Sequence, residues 1–213
     1  MNLKKNLRCF AVIALALGAV SCSSTSYKNA QDEETINIDW GSTDLQTFSK
    51  HMADSFIQSP SLGYLNKPYK GQDQRIVMVM GGITNETMEH INRNMISERV
   101  REAMMQSGKF RFVAGDLGQT EIDKQVRFQQ GSGRVDPAKA IAFGKQQGAE
   151  VVLYGNLSSI EKEKGRSIET LGTKKEDVFY QFTMNALNIE TGEIMWTNVE
   201  ELRKQQVTSL FGS

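Results

Sequence analysis

The chain has 213 residues, of which 39% are apolar, and its 25 basic residues balance 25 acidic ones. This composition is that of a globular protein, and the length fits one domain better than two. The balanced charge excludes a nucleic-acid binder of the usual basic kind, because neutralising phosphates needs an excess of Lys and Arg. Two cysteines are too few for a disulfide framework or a four-ligand zinc site.

The first 21 residues have the pattern of an export signal peptide. Basic residues precede an uncharged run over residues 10–20, which is too short to cross a bilayer as a permanent helix. Small residues before Cys22 resemble a bacterial lipobox, in which the cysteine becomes the lipidated first residue of the mature chain. The alternative is an ordinary cleaved signal with a chance cysteine. We predict a signal peptide over residues 1–21 and lipidation at Cys22, and Ser23 favours the outer membrane by resemblance to enterobacterial sorting.

Residues 22–35 are predicted to be a lipidated, flexible tether. This stretch has no aliphatic side chain larger than alanine, so it cannot bury enough surface to order itself. Fully stretched, it reaches about 40 Å. The rest of the chain, residues 36–213, is predicted to form one domain.

The domain is predicted to open at residues 36–40 and to continue with a helix over residues 43–58, because apolar residues recur there at helical spacing. Thr43 and Gln46 match a capping box, and Pro60 is expected to end the helix. The next connection, residues 59–74, is unusually long for a compact domain, which is sometimes a sign of function.

A continuous apolar run over residues 75–80 predicts a strand covered on both faces. Gly81 and Gly82 are expected to end it, and residues 85–87 to cap the next helix. Gly108 fits the left-handed position that closes that helix. The buried face of the helix is expected to contain Ile91, Ile96, Val100, Ala103 and Met104.

A short strand is predicted next, over residues 110–113, followed by two helices. The first helix begins at Thr120 and ends at Gly131, carrying Ile122, Val126 and Phe128. The second begins at Asp136 and Pro137, a capping carboxylate followed by proline at the first helical position, and ends at Gly148.

The last third of the domain changes to strand periodicity. A buried strand is predicted over residues 151–160, and strict alternation over residues 178–187 predicts a long strand with two different faces. Residues 190–193 form a hairpin turn, in which Gly192 can take a positive φ. The polar stretch 165–176 is predicted to be a loop. Together these elements predict a single layered α/β domain: a mixed β-sheet with an antiparallel C-terminal meander, packed by about four helices.

No catalytic, cofactor-binding or metal-binding residue can be assigned. His90 follows Glu89 without the second histidine of a zinc-protease motif, and His51 beside the first helix is expected to be a surface or satisfied boundary residue. Phosphate loops, nucleophile elbows and calcium loops do not occur. A hydrolase with scattered carboxylates stays open as an alternative.

Five short motifs occur in order along the chain: Asp39-Trp-Gly-Ser-Thr-Asp44, Ile83-Thr-Asn-Glu-Thr87, Ser107-Gly-Lys-Phe-Arg-Phe112, Gly148-Ala-Glu-Val-Val-Leu-Tyr-Gly155 and Ile189-Glu-Thr-Gly-Glu-Ile-Met-Trp196. In these motifs and their order the chain resembles the LpoB family, from about Asp39 to Trp196. The resemblance implies an outer-membrane lipoprotein that binds and activates a bifunctional penicillin-binding protein, a peptidoglycan synthase, and that has no active site or small-molecule substrate of its own. It also implies a fold similar to the TolB N-terminal domain.

The alternative function is an envelope assembly or secretion lipoprotein resembling the curli secretion subunit, although residues 165–176 are too polar for an inserted strand. The sequence does not identify the partner-binding face. The two long connections, 59–74 and 165–176, are the candidates, because exposed irregular segments carry function more often than framework does.

Overall fold

The computed structural model describes residues 25–34, 37–65, 72–134, 148–166 and 172–209. The predicted signal peptide and Cys22 lie outside these residues. The chain divides into two compact units, Met1–Asp32 and Glu33–Ser213. In the described part of the first unit, the Asp32 N–H donates to the Asn29 carbonyl over 3.1 Å. No helix among the described residues is long and apolar enough to cross a membrane.

The second unit alternates helices and strands and then ends in three strands. Its described elements are α1 (Ser42–Ile57), a 3-10 helix (Pro60–Leu65), β1 (Ile76–Glu86), α2 (Arg93–Gln106), β2 (Phe110–Phe112), α3 (Asp116–Gly131), β3 (Val151–Lys164), β4 (Lys174–Asn188) and β5 (Ile194–Thr208).

The described strands form one five-stranded sheet in the order β2-β1-β3-β4-β5. The pairs β1–β2 and β1–β3 are parallel, whereas β3–β4 and β4–β5 are antiparallel. The predicted fold class, a mixed sheet with an antiparallel C-terminal meander and helices packed against it, is therefore confirmed. The helix predicted from Asp136 lies largely in residues 135–147, outside the described part of the chain, and the similarity to TolB stays a prediction.

The first helix begins one residue earlier than predicted and has a different cap. Gly41 is the N-cap residue, and its N–H donates to the Asp44 carboxylate over 2.8 Å. The Glu34 carboxylate accepts from the Ser42 hydroxyl over 3.0 Å. The predicted capping box of Thr43 and Gln46 is wrong, because Thr43 already lies inside the helix and acidic side chains satisfy its N-terminus.

The first strand continues through the two glycines that were expected to end it. Met80 pairs with Leu153 and Ile83 with Gly155, so two residues of β1 oppose one of β3. This arrangement is a β-bulge, which glycines accommodate and which bends a strand without ending it.

The two glycines of the bulge make a matched pair for mutagenesis. A Cβ atom on Gly81 would lie 2.7 Å from the Leu153 carbonyl oxygen, whereas one on Gly82 meets nothing within 4 Å. We expect Gly81→Ala to lower the free energy of unfolding by about 1–3 kcal/mol and Gly82→Ala to leave it within about 0.5 kcal/mol. Denaturant unfolding of both variants tests this, and equal effects would contradict the register of the bulge.

The caps of the next helices also differ from prediction. Asn85 and Glu86 belong to β1, and the α2 cap is Asn92, whose side chain accepts from the Asn94 N–H over 3.1 Å. Gly108 does take a positive φ of 72°. The following helix, α3, begins after Gly115, because backbone hydrogen bonds extend it further towards its N-terminus than the predicted start at Thr120.

The C-terminal meander follows the predicted alternation. Side chains buried on one face of β4 are Val178, Tyr180, Phe182, Met184 and Ala186. Gly192 has the expected positive φ of 75°, and the strand after it pairs back on β4. The predicted loop 165–176 ends too late, because β4 begins at Lys174, and the predicted strand 151–160 is too short, because β3 runs to Lys164. Cross-strand pairing of charged residues extends the hairpin beyond its apolar part.

The core lies between one face of the sheet and the helices α1 and α2. Phe56, with an exposed fraction of 0%, contacts Phe110 and Trp196 at ring-centroid distances of 5.4 and 5.0 Å. Of the residues predicted to be buried on α2, Ile96, Val100 and Met104 are buried, whereas Ala103 and Ile91 are only partly buried. On α3, Val126 is buried but Ile122 and Phe128 are more than one-third exposed.

Candidate functional site

The segment that leads into the domain, residues 37–41, is held by four side chains from different elements. We call these side chains the polar cluster: Asp44 of α1, Glu89 between β1 and α2, Tyr180 of β4 and Lys204 of β5. Each contacts the segment directly or holds a group that does. The polar cluster therefore fixes where the chain enters the domain.

Lys204 and Asp44 form the most enclosed ion pair of the described residues. Their side chains are 15% and 11% exposed, and the Lys204 Nζ lies 2.5 Å from the Asp44 Oδ2. The same ammonium donates to the Asp39 carbonyl over 2.6 Å. Because Asp44 also accepts the Gly41 N–H, this carboxylate joins β5, the N-terminus of α1 and the incoming segment.

Glu89 is positioned by the turn that follows β1. The Asn85 amide donates to the Glu89 carbonyl over 2.8 Å, and the Thr87 hydroxyl bonds to both Asn85 and Glu89. The Glu89 carboxylate then accepts the Trp40 N–H over 2.9 Å and the Tyr180 hydroxyl. Two of the sequence motifs, around residues 39–44 and 83–87, thus meet at this carboxylate.

Trp40 closes the polar cluster from the core side. Its ring meets the ring of Phe48 at 5.1 Å and that of Tyr180 at 5.4 Å, both edge-on. Edge-on aromatic pairs add about 0.5–1.5 kcal/mol beyond their buried area. The incoming segment is consequently held by apolar packing as well as by hydrogen bonds.

Burial and the Glu89 carboxylate together raise the pKa of the Tyr180 phenol above its ordinary value. An unfolded tyrosine ionises near pH 10, whereas the folded chain retains this proton. The stabilising contribution of Tyr180 is therefore complete below about pH 10 and is lost as the pH rises above that value.

We therefore expect stability to fall above pH 10, with the unfolding equilibrium constant rising up to about tenfold per pH unit from this residue. Tyr180→Phe should flatten that part of the profile. Absorbance titration of the chain's five tyrosines should show one that ionises only on unfolding. An unchanged profile in the variant would contradict the assignment.

A groove of about 340 Å³ opens beside the polar cluster. Its carboxylates are Asp39, Glu89, Glu161, Glu163, Glu176 and Asp177. Three of these six are paired with a cation: Lys174 lies 2.7 Å from Glu176 and 3.4 Å from Glu163, and Arg203 lies 3.1 Å from Asp177. The groove is a polar depression with an exposed Met88 at its rim, rather than a concentrated negative site.

A second cavity, of about 700 Å³, adjoins the predicted 59–74 connection. The Asp73 carboxylate there takes two hydrogen bonds of 2.9 Å from Arg75 and lies 3.3 Å from Arg111. The hydrogen bonds from Arg75 hold the pKa of Asp73 well below its usual range. The connection contains the 3-10 helix, with Tyr64 87% exposed, and its role in binding stays a prediction.

No group of three or more potential metal ligands occurs among the residues that the structure describes. His51 lies on the α1 surface, 3.3 Å from Glu200. Cys22, the predicted lipidation site, lies outside the described residues. The polar cluster was not predicted, although alternation in β4 and β5 offered a signal. A tyrosine or lysine at a strand position that faces the core needs a polar partner.

Known proteins provide an independent comparison. Solved structures that resemble the chain include the LpoB C-terminal domain from Salmonella enterica, with 17% identity and a TM-score of 0.41 over 75% of this chain and 98% of that one. The NMR structure of E. coli LpoB gives 16% identity and a TM-score of 0.39 over 88% and 86%. Lipoprotein GNA1162 from Neisseria meningitidis gives 11% and 0.35 over 62% and 84%. No curated protein matches the chain.

The family profile described as "Peptidoglycan-synthase activator LpoB" matches residues 44–202. The match begins in α1, ends in β5 and includes three of the four residues of the polar cluster, Asp44, Glu89 and Tyr180. It spans most of the described domain, in agreement with the motifs found in the sequence. The chain belongs to the LpoB family of peptidoglycan-synthase activators.

Proposed function

We propose that this chain is an outer-membrane lipoprotein that binds a bifunctional penicillin-binding protein and raises its peptidoglycan synthase activity. The family match over residues 44–202 is the observation that supports this proposal. The chain would act as a regulator without chemistry of its own, so that cell-wall synthesis depends on its contact with the synthase.

Activation by binding requires a difference in affinity between two states of the partner. A ligand shifts an equilibrium only as far as it binds one conformation more tightly than the other. A coupling of about 1–3 kcal/mol corresponds to a 5- to 150-fold change in affinity. A domain with a well-packed core suits this role, because a rigid surface loses little entropy on binding.

The proposed geometry places an upper limit on where contact occurs. A tether over residues 22–35 reaches about 40 Å at most. The synthase would therefore have to reach a domain whose first residues are tethered within about 40 Å of the anchoring leaflet.

Purified full-length chain should increase the rate of glycan polymerisation by a bifunctional synthase several-fold. The chain incubated alone with lipid-linked precursor or with isolated sacculi should neither polymerise nor release glycan, which tests the hydrolase alternative. Unchanged polymerisation in the presence of a bound chain would overturn the proposal.

Anchoring at Cys22 gives a separate prediction. Cys22→Ser removes the thiol that would be acylated, so the variant should be released from the membrane or remain unprocessed. Cys9→Ser is the matched control, because Cys9 would leave with the signal peptide. Membrane fractionation and mass spectrometry test both, and a correctly cleaved Cys22→Ser chain that stays in the membrane would contradict the lipid anchor.

The secretion-subunit alternative gains no support from the described residues. At the hairpin between them, β3 ends and β4 begins in charged residues on both faces: Glu161, Lys162, Glu163 and Lys164 on β3 and Lys174, Lys175, Glu176 and Asp177 on β4. Inserting such a hairpin into lipid would require burying these charges, which costs several kcal/mol each. The hairpin is therefore better suited to water.

A further inference from the structure

Strand β5 is a long edge strand of the described sheet. It contains 15 residues and lies last in the strand order, where it pairs with β4 along almost its whole length. In the described ranges no strand pairs with its other side. A long edge presents backbone N–H and C=O groups to any chain that can pair with them.

The middle of this edge has an ordered charge sequence, Glu200-Glu201-Leu202-Arg203-Lys204. Two acidic residues precede a central leucine and two basic residues follow it. Reversing the direction of the strand exchanges every acidic position for a basic one. We propose that a second copy of this chain pairs with β5, antiparallel to it and with the two Leu202 residues opposite each other.

Symmetry restricts how two such edges can meet. Two identical antiparallel edges in one continuous sheet are related by a two-fold axis perpendicular to the sheet. Even-numbered residues of one copy therefore face even-numbered residues of the other, and odd-numbered residues face odd-numbered ones. With Leu202 on the axis, Glu201 faces Arg203 of the second copy, twice. The neighbouring registers place Glu201 opposite Glu201 or Arg203 opposite Arg203, and like charges directly opposite each other are destabilising.

The side chains needed for this pairing lie on the face away from α1. Arg203 has a 70% exposed side chain and contacts Asp177 through one guanidinium nitrogen, which leaves further N–H donors. Glu201 is exposed on the same face. By contrast, Glu200 and Lys204 point to the other face, where they contact His51 and Asp44. The Glu201–Arg203 pairs would therefore select the register.

Edge charges can also serve only to prevent pairing. Charges that only prevent strand pairing need no particular order along the strand. The sequence around Leu202, in contrast, places opposite charges of two copies together in one register. A dimer specified by that order makes two demands: charge reversal at one position must weaken it, and reversal at both positions must restore it.

Cysteine crosslinking in intact cells tests the register. In the double variant Val199→Cys/Gln205→Cys, each new cysteine faces the other one in the second copy, and both native side chains are exposed. Non-reducing electrophoresis should show a covalent dimer. The matched control Thr197→Cys/Gln205→Cys would crosslink only in the register shifted by one step, and single variants control for Cys9 and Cys22.

Charge reversal in the Val199→Cys/Gln205→Cys variant tests whether the Glu201–Arg203 pairs stabilise the dimer. Glu201→Arg turns two attractive pairs into repulsive ones and should lower dimer formation roughly tenfold. Adding Arg203→Glu should restore it, while resistance to protease confirms that each variant is folded. Equal crosslinking in both registers, absence of a dimer, or failure of the double reversal to restore one would overturn the proposal without affecting the proposed activation.

Discussion

Replacing Lys204 by methionine is expected to lower the free energy of unfolding by about 3 kcal/mol. The substitution leaves the enclosed Asp44 carboxylate without its cation, and removing one partner of a buried ion pair costs about 3–5 kcal/mol. Because both side chains are partly exposed, by 15% and 11%, we expect a loss at the lower end of this range. Methionine retains the length of the side chain, so the loss reports the charge rather than the packing.

The neighbouring residue supplies the control. Arg203 also pairs with an acidic residue, Asp177, but its side chain is 70% exposed. Arg203→Met should therefore cost less than about 1 kcal/mol. Asp44→Asn combined with Lys204→Met should be less destabilising than the two single effects added together. Equal losses for Lys204→Met and Arg203→Met would show that the polar cluster does not hold the domain's first residues.

A second large loss of stability is expected from Phe56→Ala, about 3–5 kcal/mol. The ring is completely buried and contacts Phe110 of β2 and Trp196 of β5, so its removal leaves a cavity between α1 and the sheet. Loss of two ring pairs adds to the loss of buried area.

The exposed Tyr64 gives a matched aromatic truncation. With 87% of its surface exposed, Tyr64→Ala should change the free energy of unfolding by less than about 0.5 kcal/mol. Urea unfolding followed by circular dichroism measures both variants. A Phe56→Ala loss below about 1 kcal/mol would mean that α1 does not pack on the sheet as described.

The sequence predicted the C-terminal meander well, because its signals are local. Each buried residue of β4 alternates with a half-exposed one, and Gly192 provides the positive φ that the turn requires. The glycines of β1 misled the prediction for a physical reason. A glycine pair that ends a strand and one that forms a bulge look alike until the opposing strand is known.

Helix caps were predicted less well because several polar residues compete for each N-terminus. Thr43 has the residue type of a cap, yet the Glu34 carboxylate accepts the Thr43 N–H and the Asp44 carboxylate accepts the Gly41 N–H. The polar cluster escaped prediction for a related reason. Its members are separated by up to 160 residues along the chain, and only the folded sheet brings Lys204 and Tyr180 to the same end.

Photo-crosslinking in intact cells, followed by identification of the captured protein, tests whether the chain acts by contact with a peptidoglycan synthase. Crosslinking residues at the exposed positions Tyr64 and Met88 would probe two separate surfaces of the domain. We expect capture of a bifunctional penicillin-binding protein from at least one position. Capture of outer-membrane secretion components alone, with no peptidoglycan synthase from either position, would contradict it.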